Sequence, residues 1–213
     1  MIIAIDGPSG SGKSSISKQI AKKLNILHLD TGAMYRTFAL YLLENNMKLS
    51  DEAFKNFKFE QKGNNFYLNG KDVTKKIREN EISKKASDIS KNLKVREYMV
   101  NEQREIAKGL DVILDGRDIT TVVFPNADFK FFITASIEKR AYRRYLEDKS
   151  IPYEKILEDI RKRDEQDSKR KNSPLKIASD AVVIDTSEYT KEEVIERVLN
   201  IIKGKKNEMY RSY

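Results

Sequence analysis

Ile2-Ile3-Ala4-Ile5-Asp6-Gly7-Pro8-Ser9-Gly10-Ser11-Gly12-Lys13-Ser14-Ser15 is the stretch that decides the fold class. Five residues of mostly apolar chain run straight into G-x-x-x-x-G-K-S, and a helical pattern follows. In that setting the pattern predicts a loop that wraps phosphate. Glycines let successive backbone N–H groups turn inward around phosphate oxygens, and the helix N-terminus behind them adds partial positive charge. Gly7, Pro8, Ser9, Gly10, Ser11, Gly12, Lys13, Ser14 and Ser15 are therefore the expected nucleotide-phosphate site. Lys13 has the reach for the outer phosphates, and the Ser14 hydroxyl suits Mg²⁺.

Outward from the loop, apolar runs alternate with helical patterns. Strands are expected at Ile2–Asp6, Ile26–Leu29, Asp111–Leu114, Phe129–Ile133 and Ala181–Asp185, each short and apolar enough to be buried on both faces of a parallel sheet. Helices are expected at Ser15–Leu24 (stripe Ile16, Ile20, Leu24), Ala33–Asn45 (Phe38, Tyr41, Leu42) and Thr190–Lys203. The last opens on a Thr190-x-x-Glu193 capping box, and Gly204 is its expected stop. The β-α-β rhythm predicts an α/β fold with a five-stranded parallel sheet flanked by helices.

The rhythm breaks over about 55–94, where short polar pieces and the turn signals Gly63-Asn64-Asn65 and Asn69-Gly70 predict a small β-hairpin insert, then a helix near Ile82–Ser90. It breaks again at Asp148–Pro152, between two charged helices without an evident apolar stripe, which predicts a mobile flap. The tail from Lys205 to Tyr213 is basic and expected to fray.

The 213 residues suit one compact domain with a small insert. There is no Cys, which excludes disulfides and thiolate metal sites, and the single His28 argues against a histidine zinc site or a serine-type triad. No apolar run nears the roughly 20 residues of a membrane span, and no leader pattern opens the chain, so a cytoplasmic protein is expected. The formal charge of +8 attracts polyanions without saying which.

Loops after strand C-termini face the ligand crevice of an open α/β sheet. Asp30-Thr31-Gly32-Ala33-Met34-Tyr35-Arg36 and Asp115-Gly116-Arg117-Asp118 stand at such positions. The apolar run ending in Asp115 resembles the carboxylate segment that accompanies phosphate loops. Arg163-Asp164-Glu165-Gln166-Asp167-Ser168-Lys169-Arg170 adds a charged cluster whose spacing, taken alone, is also that of ordinary helix-surface pairs.

Six blocks then carry a resemblance: GPSGSGKSS at 7–15, LDTGAMYR at 29–36, KVR at 94–96, LDGRDITTVVFPNAD at 114–128, RDEQDSKRKNSPL at 163–175 and ASDAVVIDTS at 178–187. In this order the chain resembles the bacterial cytidylate kinases, of the nucleoside monophosphate kinase group. The resemblance implies transfer of a phosphoryl group from ATP to CMP or dCMP with Mg²⁺ as cofactor. It implies a core at 1–54 and 95–213, a monophosphate-binding insert at about 55–94 and a LID at about 145–158. Carried over by position, it implies Lys13, Arg117, Arg163 and Arg170 as catalytic cations. It also implies Thr31, Tyr35, Arg36, Ser87, Arg96, Asp118, Arg163, Asp167 and Arg170 around CMP. Among these, Thr31, Arg96 and Asp118 read the base, Arg36 and Arg170 hold the phosphate, and Ser87, Arg163 and Asp167 meet the pentose. Arg140, Arg143 and Arg144 lead into the LID as candidates to cover ATP. A monomer is expected, with no nucleic-acid or membrane partner. Three departures stand out: Thr31 where the family usually has Ser, Gln166 where some members have Arg, and a LID region between Arg144 and Arg163 a few residues shorter than in some relatives.

Two other readings fit part of this pattern. One is a kinase for UMP or another small acceptor. The other is a basic nucleotide-binding protein that binds RNA or acts as a switch, which would show salt-sensitive polyanion binding without fast monophosphate turnover.

Overall fold

In the computed structural model, which describes residues 1–211, the chain forms two compact units. One is Met1–His28 together with the chain from Leu110 onward; the other is Leu29–Gly109.

The first unit is built on strand β1 (Ile2–Asp6), whose apolar run takes the centre of a five-stranded sheet. With β2 (Leu27–Asp30), β6 (Val112–Gly116), β7 (Phe129–Thr134) and β8 (Val182–Asp185), the sheet order is β2-β6-β1-β7-β8. β1 pairs in parallel with β6 and β7, and β7 with β8. Ile5 stands beside Asp115 and Asp6 beside Gly116. Parallel pairing in that register brings the loops after β1 and β6 to the same end of the sheet, where ligands bind in this architecture. Ile3, Ile5, Ile113, Phe131, Ile133 and Ile184 form the core with Ile16 and Ile20 of α1 (Lys13–Leu24) and with Val194, Val198 and Ile202 of α8 (Lys191–Arg211). The Thr190–Glu193 capping box is made: the Thr190 N–H donates to Glu193 at 2.8 Å, and the Glu193 N–H donates to Thr190 Oγ1 at 3.2 Å.

Three expectations need correction here. Gly204 does not stop α8, which runs through it to Arg211; an exposed helix tolerates Gly at about 1 kcal/mol. Ser212 and Tyr213 lie outside the described residues. β8 is an edge strand, so Val182 and Val183 are exposed and only Ile184 is buried. Finally, α6 (Ile137–Glu147) and α7 (Tyr153–Ser168) do have an apolar seam: Ala141, Ile156 and Ile160, with Ile137, Tyr145, Ile151, Tyr153 and Leu157 packed against them. The stripe is short and interrupted by charges, which hid it in the sequence.

In the second unit, α2 (Thr31–Glu44) packs Phe38 and Tyr41 against Phe57, with Phe38 and Phe57 ring centroids 4.9 Å apart. The short α3 (Asp51–Lys55) is capped by Ser50. The expected hairpin is a three-stranded antiparallel sheet of β3 (Phe59–Lys62), β4 (Asn65–Leu68) and β5 (Lys71–Asp72), turning at Gly63-Asn64 and Asn69-Gly70. Its inner residues Phe66 and Leu68 are buried. Helices α4 (Asn80–Ile89) and α5 (Leu93–Ala107) complete the unit.

Candidate active site

The phosphate loop owes its shape to residues without side chains. A Cβ on Gly7 would lie 2.0 Å from the Ile133 carbonyl oxygen of β7, so no other residue fits there without moving the sheet. Gly12 caps α1 with φ +85°, a left-handed conformation that side chains disfavour. Lys13 begins α1 and folds back, its Nζ donating to the Pro8 carbonyl at 3.1 Å. Only 6% of Lys13 is exposed. Burial, with Arg117 and Arg163 adding repulsion against the partial relief of Asp115 and Asp167, lowers its pKa to about 7.

Asp115, at the end of β6, accepts the Ser14 hydroxyl and the His28 Nε2 at 2.7 Å. It is 2% exposed. Burial raises its pKa, but His28, Lys13 and Ser14 together outweigh that and hold the carboxyl below its ordinary value. Ser14 and Asp115 thus offer an alcohol and an ionised carboxylate side by side, the hard-oxygen donors that Mg²⁺ takes in small numbers beside phosphates. Among the described residues no group of three His, Asp or Glu side chains is arranged to hold a metal, so a cation here would take most of its ligands from phosphate and water.

Asp167, buried near the end of α7, gathers the predicted arginines. Arg117 Nε donates to it at 2.7 Å, and Arg170 donates to its other oxygen. Burial pushes its pKa up, yet the charges of Arg117, Arg170 and Arg163 hold it down. Lys13, Arg117, Arg163, Asp167 and Arg170 therefore form one electrostatic neighbourhood beside the phosphate loop. Asp118 is buried at the start of a π-helical turn, Ile119–Val123, a geometry that recurs at functional sites. The turn hangs from Asp6, which accepts the Ile119 N–H at 2.9 Å, the Thr120 N–H at 2.8 Å and the Thr120 hydroxyl at 2.6 Å. Burial pushes Asp6 up to about 6 despite these donors.

The second unit carries the other predicted residues. Thr31 is buried at the first turn of α2, whose N-cap Asp30 accepts the Ala33 N–H at 2.8 Å. Asp30 also pairs with Arg36 at 3.3 Å and with Arg78 at 3.6 Å. Arg96 of α5 is buried, donates to the Ser90 carbonyl at 3.3 Å and lies over the Tyr35 ring at 5.8 Å. Ser87 sits on α4, its carbonyl accepting the Ser90 hydroxyl at 2.7 Å.

Two of the three arginines named as candidates to cover ATP make hydrogen bonds within the protein. Arg140 is buried against the Ala135 and Ser9 carbonyls and Asp164. Arg143 donates to the Thr186 carbonyl at 2.6 Å and to its hydroxyl at 3.0 Å. Sequence reading also missed Asp6, His28, Asp164 and Arg78 as site residues. For Asp6 the signal was position alone, at the end of β1; His28, inside β2, and Arg78 and Asp164 gave none that sets them apart.

A cytidylate kinase family model matches residues 3–204. The chain belongs to the cytidylate kinase family. It is 51% identical over 204 residues to the cytidylate kinase of Fusobacterium nucleatum, covering 92% of this chain and 94% of that one. To the cytidylate kinase of Caldanaerobacter subterraneus it is 49% identical over 210 residues, 94% of each. The fold is that of P-loop kinases. A gluconokinase from Sinorhizobium meliloti superposes with TM-score 0.53 at 14% identity, covering 99% of this chain and 97% of that one. A shikimate kinase from Bacteroides thetaiotaomicron gives 0.50 at 14%, covering 95% and 98%.

Proposed function

We propose that this cytidylate kinase family member transfers the γ-phosphoryl group of ATP to CMP or dCMP, giving ADP and CDP or dCDP. The observation that carries the reading is the set of cations beside the phosphate loop, Lys13 with Arg117, Arg163 and Arg170, held around one buried carboxylate, Asp167. Two polyanionic substrates must be brought together, and this is the charge that offsets their repulsion.

Phosphoryl transfer passes through a loose transition state, so positioning and charge stabilisation do most of the work. The acceptor is a phosphate oxygen, already ionised near neutral pH, and no general base is required. The loop N–H groups and Lys13 hold the ATP phosphates. Ser14, whose hydroxyl donates to Asp115, would present a lone pair to Mg²⁺, which would supply positive charge against the outer phosphate oxygens. Arg117 and Arg163 stabilise charge spreading over the transferred group, and Arg170 and Arg36 grip the CMP phosphate through their paired N–H donors. Asp118 accepts from the cytosine amino group, with Thr31 and Arg96 reading the rest of the base edge. Ser87, Arg163 and Asp167 meet the pentose. Tyr35 presents its ring beneath the Arg96 guanidinium. Residues about 55–94 act as the monophosphate-binding insert and about 145–158 as the LID. Among the described residues no helix is long and apolar enough to cross a membrane. The working form in this reading is a cytoplasmic monomer that takes nucleotides rather than nucleic acid.

The test is ADP production from ATP and Mg²⁺ with CMP, dCMP, UMP, AMP, GMP or no acceptor. The expected result is strong turnover with CMP and dCMP and at least about tenfold lower kcat/KM with UMP, the value of one lost base hydrogen bond. Equal rates with CMP and UMP would remove the base-reading roles of Thr31, Arg96 and Asp118.

A further inference from the structure

Ser9 lies in the phosphate loop, and both of its backbone polar groups are gripped by one ion pair. Its N–H donates to Asp164 Oδ1 at 3.1 Å, and its carbonyl accepts Arg140 Nη1 at 2.9 Å. The same Arg140 nitrogen donates to Asp164 Oδ2 at 2.5 Å, while Arg140 Nε donates to the Ala135 carbonyl at 2.9 Å. Arg140 belongs to α6 and Asp164 to α7, the two helices joined by the seam around Ile156 and Ile160. The next loop residue, Gly10, sits directly on them: a Cβ there would lie 3.3 Å from Arg140 Cβ and 3.7 Å from Ile160 Cδ1.

A trans peptide is planar, with its C=O and N–H pointing in opposite directions. The Ser9 carbonyl held toward Arg140 therefore turns the Gly10 N–H away from α6 and into the loop. By the same rule, the Ser9 N–H held toward Asp164 turns the Pro8 carbonyl the other way. That carbonyl is the acceptor of Lys13 Nζ at 3.1 Å. One part-buried ion pair thus fixes two consecutive peptides, and through them one loop N–H and the resting place of the loop lysine.

We propose that Arg140 and Asp164 are positioning residues for the ATP phosphates, setting the phosphate loop in its binding conformation from the α6–α7 helix pair. They act through the Ser9 peptides and Lys13 rather than by touching the transferred group. Movement of α6 against α7 would then alter the loop directly, which gives that helix pair a role in ATP binding beyond covering it. The inference rests on the phosphoryl-transfer reading only for its kinetic consequences.

The experiment is calorimetric titration of Asp164→Asn with ATP alone and with CMP alone, alongside steady-state KM values and thermal melting. The amide oxygen of Asn can still accept the Ser9 N–H, but its NH₂ cannot pair with Arg140. ATP affinity should fall about tenfold, the worth of one charge-assisted hydrogen bond, while CMP affinity stays within about twofold. Arg140→Lys provides a second, independent variant. It keeps a charge beside Asp164 but has one nitrogen in place of the fork, so it cannot serve Ala135, Ser9 and Asp164 together. The same ATP-over-CMP split is expected from it, even if Asp164→Asn fails to melt cooperatively. Unchanged ATP affinity with a lowered melting temperature, or equal weakening toward both nucleotides, would overturn the proposal. The ATP titration contains no acceptor, so it remains readable even if the wild type fails to phosphorylate CMP.

Discussion

The two units hold their basic side chains in different ways. In the first, cations are interleaved with two buried carboxylates: Lys13 near Asp115, and Arg117 and Arg170 on the two oxygens of Asp167. Both carboxylates are held ionised by their partners. In the second, Arg36 and Arg78 share Asp30, and 56% of the Arg78 side chain is exposed, while Arg96 rests on an aromatic ring and a backbone carbonyl. The first arrangement is assembled before substrate arrives. Its donors are already desolvated and oriented, the condition under which electrostatic stabilisation contributes most to a transition state. In the second, two arginines share one carboxylate, and in the proposed reading Arg36 exchanges it for the CMP phosphate. In the reading proposed above, the first unit carries the charges that act on the transition state together with Asp118, Arg163, Asp167 and Arg170 for the acceptor, and the second adds Thr31, Arg36, Ser87 and Arg96.

Lys13→Met is the sharpest way to break this contrast. It keeps the apolar stem and removes only the amine. kcat should fall about 10³-fold, the range seen when one preorganised donor is lost from a transition state. The melting temperature should stay level or rise, because a buried amine whose charge is disfavoured is replaced by an apolar group. A variant with normal kcat, or one whose loss of activity tracks loss of fold, would place Lys13 outside the chemistry.

Arg36→Met probes the other unit and should be milder. KM for CMP should rise about tenfold, with KM for ATP within about twofold, the worth of one charge-assisted contact to the acceptor phosphate. Arg78 remains to pair with Asp30, so the cap of α2 stays in place. Steady-state kinetics with each substrate varied in turn gives the split. Equal effects on both KM values would end the claim that this unit serves the acceptor alone.

What the sequence made legible follows the same division. The phosphate loop is a contiguous stretch, and its glycines, lysine and flanking strand are all needed at fixed spacing by one backbone conformation, so residues 2–15 could be read directly. The five strands were readable for the same reason, to within about two residues, because strand burial leaves a local apolar run. The π-helical turn after Asp118, the grip of Asp164 on Ser9 and the sharing of Asp30 by Arg36 and Arg78 were not readable. Each joins residues far apart in the chain through side-chain charge, and at 35% charged residues any one pairing is masked by many others. Gly204 failed for the opposite reason: a strong local stop signal was overridden because nothing after it required the chain to turn.

The smallest expected effect tests the electrostatics of the first unit without touching its geometry. Lys13 is lowered to about 7 in the free protein, chiefly by burial and then by Arg117 and Arg163. In the unfolded chain it titrates near 10.4. Between those values the unfolded state binds more protons, so this group adds stability as pH rises from about 7 toward 10, and its unfavourable contribution is complete below 7. Phosphate oxygens of bound ATP favour the charged amine and raise its pKa again. At pH 7.5 the wild type should therefore take up about 0.8 proton more than Lys13→Met on binding ATP, the neutral fraction that becomes charged. Calorimetry in two buffers of different ionisation enthalpy measures that difference directly. A value near zero would mean that Lys13 is charged before ATP arrives, and that Asp115 and Asp167 outweigh its burial.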